Sequence, residues 1–164
     1  MNIDTSYILS GSIVGFICFV CTLGALFLAK IRYNAPGEVT HSFIGSFKFA
    51  ISKRALMGAA VMPVLSMVLF YAFVVHLRFS VGHWPHFGES LPNQMLALHM
   101  EVVKYFALGL FCSLYATGVM TLIGFAFKSL RWLSFSCLLH MVFLALSFGS
   151  FSLAPHPFLN WFFD

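Results

Sequence analysis

Seven histidines are the residues in this chain best suited to do chemistry. Four of them, His76, His83, His86 and His99, fall in or beside one polar stretch, HLRFSVGHWPHFGES, that runs on toward Glu101. Histidine with carboxylate is a workable donor set for copper, zinc or iron. His76, His83, His86, His99 and Glu101 are therefore the candidate metal ligands. A transition metal or a haem b is the group they would hold. His83 and His86 are separated by Trp84-Pro85, so they are not stacked on one helix face, and their spacing follows no metal motif.

A haem held by two histidines needs both at one membrane depth. His140 lies about eight residues into an apolar run, roughly 20 Å along the membrane normal from His76 at 1.5 Å per residue. Those two cannot share an iron, whereas His76 and His99 can. His140 is a separate candidate, an intramembrane polar site on a stripe with Ser136, Ser147 and Ser150. Pro63 removes a backbone donor and so frees the carbonyl of Ala59. That carbonyl, Thr22, Ser66 and Thr117 are the partners expected near the depth of His140. A neutral histidine bonded to one of them would tie two helices together.

The remaining candidates are structural. Gly11, Gly15, Cys18 and Thr22 follow a 4, 3, 4 spacing, which is one helix face made of small side chains. Such a face packs closely against another helix, in the same chain or in a second copy. Cys18 and Cys21 spell CxxC inside the same run, where packing is the better reading. Arg78, Trp84 and Glu89 are the expected staples of the polar stretch and a docking surface for a partner. Arg78 is placed to pair with Glu89 or Glu101.

The elements that must position these groups follow from composition. Of 164 residues, 60% are hydrophobic and 9% charged, against about 25% charged in soluble domains. Lipid must be the solvent for much of such a chain. Apolar runs of bilayer length fall at about 8–29, 55–77, 105–127 and 132–153. The expected fold is an all-α integral membrane protein, one domain of four transmembrane helices in an antiparallel bundle. Residues 30–54 form a cytoplasmic interfacial segment, with a short helix from about Ser42 whose apolar face is Phe43, Phe47, Ala50 and Ile51. Residues 78–104 form an outer loop, with a helix starting near Ser90 or Leu91 and Pro92 in its first turn. The tail APHPFLNWFFD reads as aromatic anchors at the membrane boundary.

Of the nine lysines and arginines, seven (Lys30, Arg32, Lys48, Lys53, Arg54, Lys128, Arg131) lie in segment 30–54 and the KSLR turn. Only Arg78 and Lys104 lie opposite. The bias puts the first set in the cytoplasm of a plasma or bacterial inner membrane, with both termini and the histidine-rich loop outside. The chain begins without a basic n-region, so the first run is expected to stay as a membrane helix. No nucleophile–base set, phosphate loop or nucleic-acid module is visible, which leans away from an enzyme. Cysteines confined to apolar runs exclude four-pass oxidoreductases with a cysteine pair in an outer loop.

Three functions follow in order. The first is association with the bilayer and a partner, as a homo-oligomer or membrane-complex subunit. The second is metal or haem handling at the outer face. The third is a small transporter working through His140.

Overall fold

A computed structural model describes residues 5–31, 42–86 and 89–163, with side-chain surroundings from residue 13 onward. It holds α1 (Thr5–Ile31), α2 (Phe43–Ala50), α3 (Lys53–Val81), α4 (Gln94–Ala126), a 3₁₀ turn (Lys128–Leu130), α5 (Arg131–Phe151) and α6 (His156–Phe163). Four of these helices, α1, α3, α4 and α5, are long and apolar enough to cross a membrane. The chain is a small all-α, multi-pass integral membrane protein.

Local chemistry sets the breaks. The Asn93 side chain accepts from the Leu96 amide at 2.8 Å and caps α4. Pro92 therefore stands just before that helix, not in its first turn, because the asparagine is the better cap. Gly82 ends α3 at φ 80°, a left-handed conformation that suits a residue without Cβ. Ser42 caps α2 by accepting from Gly45, and the extended Ser52 separates α2 from α3. The short helix α2 is thus distinct from the helix that follows it.

Around the bundle the order of neighbours is α1, α3, α5, α4, and α3 also touches α4 across the middle. The tight 3₁₀ turn makes α4 and α5 antiparallel neighbours, as the length of KSLR implies. At one end, here the basic end, Leu26, Ala29, Phe49, Ala55, Ala59, Trp132, Leu133 and Cys137 form a core. Lys30 stands over the Phe49 and Trp132 rings at 5.7 and 5.9 Å. At the other, the loop end, Phe70, Phe73, Leu77, Leu96, Phe151, Phe158 and Phe162 form a second core.

The two short helices, α2 and α6, complete the picture. In α2 the buried residues are Gly45, Ser46, Phe49 and Ala50, while Phe43, Phe47 and Ile51 are exposed. The protein takes the face that includes Ser46, and the exposed Phe43 and Phe47 lie at its margin, edge-on to the Phe135 ring at 4.8 and 5.8 Å. The tail is a helix whose Phe158 and Phe162, four residues apart, are buried in the core beside α3. The tail therefore completes the bundle as well as supplying aromatic residues.

Candidate functional site

In the middle of the bundle, His140 is 1% exposed. Its Nδ1 lies 2.6 Å from the Ala59 carbonyl oxygen. A carbonyl only accepts, so Nδ1 carries the hydrogen. Ala59 is the residue whose helical partner Pro63 removes, and α5 supplies the missing donor. Two turns along, the Ser147 hydroxyl donates to the Pro63 carbonyl at 3.1 Å. One face of α5 thus braces the proline segment of α3 at two points. His140 Nε2 is buried and has no hydrogen-bond partner among the described residues.

The small-residue face of α1 meets α4 within the chain. A Cβ added to Gly15 would stand 2.7 Å from Cys112 Cβ and 2.9 Å from the Gly109 carbonyl oxygen. Added to Gly109, it would stand 2.8 Å from Val14 Cγ1 and 3.0 Å from the Gly15 nitrogen. Cys18 and Thr22 are buried along the same face, with the Thr22 hydroxyl donating to the Cys18 carbonyl at 2.9 Å. The surroundings of Gly11 lie outside the described residues. Close approach of two backbones is what paired glycines permit. Here that approach is spent inside one copy of the chain.

At the loop end, His76 Nδ1 and His99 Nδ1 are 3.1 Å apart, joining α3 to α4. One nitrogen carries the hydrogen and the other accepts it. The two Nε2 atoms take no part in this contact. Phe73 packs edge-on to His99 at 5.2 Å.

The polar stretch is organised by Glu89. Its carboxylate accepts from the His86 amide at 2.8 Å and lies 3.1 Å from His83 Nε2. His83 Nδ1 lies 3.2 Å from the Val81 carbonyl, so both ring nitrogens face acceptors. The His86 amide is the main reason the Glu89 carboxyl is held below the usual carboxylate range, with the nearby His83 adding to it. The Trp161 indole donates to the Glu89 carbonyl at 3.2 Å, which pins the loop to α6. Trp84 sits under Arg78 at 5.4 Å and against Phe158 at 6.3 Å. Arg78 donates to the Gly82 carbonyl. Of the pairings expected for Glu89, the histidine at 83 takes the place given to Arg78.

No family model, curated protein or solved structure matches the chain.

The five candidate ligands therefore fall into separate places. His76 pairs with His99, and His83 joins Glu89 beside His86. Glu101 lies further along α4, in the same turn as Lys104, whose ammonium stands over the Phe162 ring at 5.6 Å. His156 opens α6 and is exposed. Among the described residues no three histidine, cysteine or carboxylate groups converge on a point where a metal ion could sit.

Sequence reasoning missed Gly109 and the bond from Trp161 to Glu89, whereas Ser147 already stood on the stripe with His140. Glycine inside a span was the available signal for Gly109, and α4 carries three, at 109, 118 and 124. The i, i+4 pair of Phe158 and Phe162 was the signal for the helix that carries Trp161.

Proposed function

We propose that the chain acts by association, as a four-pass membrane component that holds a partner on its outer cap. The orientation belongs to the proposal. The seven-to-two split of basic residues supports a cytoplasmic basic end and an outer loop end. The observation that carries the reading is the Glu89 hub. One residue fixes the His83 side chain, the His86 amide and the Trp161 indole, while His83 and His86 remain exposed. A polar surface fixed in advance costs little further ordering when a partner binds.

The glycine face, which also suggested association, is occupied within the chain and gives no support for a second copy. The partner is then a different protein meeting the cap from outside.

The test is site-specific photocrosslinking in intact membranes, with the probe at His86 and, as control, at the exposed Val119 of α4. A discrete product from position 86, weakened by Glu89→Ala and missing from position 119, supports the reading. A crosslinked dimer of the chain would replace it with self-association, and a result identical at both positions would remove it. Impermeant thiol labelling of Ser90→Cys and Ser129→Cys settles orientation. Only position 90 should react in sealed cells.

A further inference from the structure

The basic end carries a feature that the outer cap does not use. Along α3, Arg54, Met57, Val61, Val64, Leu65 and Val68 follow spacings of 3, 4, 3, 1 and 3, which is one helix face headed by a cation. All six are exposed. At the basic end α1 borders this face with Ala25, Leu28 and Ala29. Small groups hold the two helices close there: a Cβ added to Gly58 would stand 3.4 Å from the Ala25 Cβ.

A groove follows the face. Its part between α1 and α3 holds about 290 Å³, and its part further along α3 about 460 Å³. Met57 and Val61 line both, so the two are one trough, open on the side that lipid occupies. Among the described residues, Arg54 is the one charged side chain that lines it. Positions 54 and 68 are about 21 Å apart at 1.5 Å per residue. One leaflet of hydrocarbon is about 15 Å deep, half of a core of about 30 Å. A chain hanging from a headgroup at Arg54 therefore has an apolar bed as far as the bilayer midplane.

The headgroup that suits this place is negative. A guanidinium presents five N–H donors in a fork that matches phosphate, so it can hold one and keep a contact to the protein as well. Exposed Lys53 stands one position before it, and the macrodipole of α3 puts its positive end there. We propose that the trough is a binding site for one anionic phospholipid, with the phosphate on Arg54 and one acyl chain along the α3 face. The site needs only the basic end at a membrane surface, whichever side that is.

A second copy of the chain suits the trough less well. A two-fold contact sets a patch against itself. It would bring Arg54 near its counterpart, with no carboxylate on α1 or α3 between them. Another trough, of about 420 Å³, lies where Gly24 of α1 faces Trp132 of α5. No charged side chain lines it among the described residues, so filling it is the control.

The experiment is native mass spectrometry of the full chain, released from detergent micelles that hold equal amounts of dioleoyl phosphatidylglycerol and dioleoyl phosphatidylcholine. The two share their chains and a phosphate and differ in net charge. One retained phosphatidylglycerol per chain is expected, with a roughly fivefold preference over phosphatidylcholine. Arg54→Gln should abolish the preference. Ala60→Phe keeps the charge and fills the trough, and should lower the amount retained. Gly24→Phe should leave it unchanged. Equal retention of the two lipids by the native chain overturns the proposal, as does an undiminished preference in folded Arg54→Gln. Retention untouched by Ala60→Phe overturns it too, and so does a lipid-free dimer that Ala60→Phe breaks, which would give the trough to a second copy. If Arg54→Gln does not fold, the native comparison and Ala60→Phe decide.

Discussion

Replacing Gly109 by alanine tests how closely α1 and α4 are held. The added methyl would lie 2.8 Å from Val14 Cγ1, 3.0 Å from the Gly15 nitrogen and 3.2 Å from the Val14 carbonyl carbon. Carbon atoms in ordinary contact sit about 3.5–4.0 Å apart. Two of the three atoms are backbone, so a rotamer change cannot relieve the clash and the helices must part by roughly 0.5–1 Å. Overpacking of this kind costs about 1–3 kcal/mol. Alanine recovers about 0.5–1 kcal/mol as the better helix former. A net loss of about 1–2 kcal/mol is expected, or roughly 2–8 °C in melting temperature for a chain of this size. The assay is thermal unfolding in detergent, followed by circular dichroism. Gly118→Ala is the control, because a Cβ there meets nothing within 4 Å. It should be neutral or stabilising. Gly109→Ala melting with Gly118→Ala, at or above the native chain, would refute the close approach. Gly15→Ala added to Gly109→Ala should cost less than the sum, since the first substitution already separates the pair.

Two other predictions concern polar groups. His140→Leu strips the Ala59 carbonyl of its donor and should cost about 1–3 kcal/mol. Pro63→Ala restores a helical N–H to that carbonyl, so His140→Leu should be milder in that background, as a double-mutant cycle of melting curves would show. Glu89, whose carboxyl is held below its ordinary value chiefly by the His86 amide, stabilises the cap above about pH 4.3. That contribution is lost as pH falls through the lowered value of the folded state. Fluorescence of Trp84 and Trp161 should report cap loosening on acidification below that point, and Glu89→Gln should lack the transition.

The four long helices were legible because nothing but length and hydropathy is needed to find a span. Pro63 and His140 were legible as a pair because the defect and its repair are both written in residue types: a missing donor, and an intramembrane side chain able to give one. Faces were harder. Phe43, Phe47, Ala50 and Ile51 share a face on a helical wheel, yet Ala50 is buried with Ser46 and Phe49 while the other three stay exposed. The glycine face showed that a close contact would form and could not say with what, because Gly109 lies 94 positions from Gly15 and no local pattern links them. The convergence of Trp161 on Glu89 spans 72 positions and depends on how α6 folds back, which composition does not encode.

The order of neighbours has a consequence for assembly. Helices α1 and α3 are one hairpin, α4 and α5 another, and the main packing between them runs α1 on α4 and α3 on α5. The glycine contact and the His140–Ala59 bond both cross that divide. The molecule is therefore a heterodimer of hairpins, with residues 82–93 as its tether. That tether also makes contacts of its own, Trp84 on Phe158 and the Glu89 carbonyl on Trp161, so severing it would loosen the cap as well as end the high local concentration of the halves. Two separately made pieces would carry, between them, every surface needed to find each other in the bilayer.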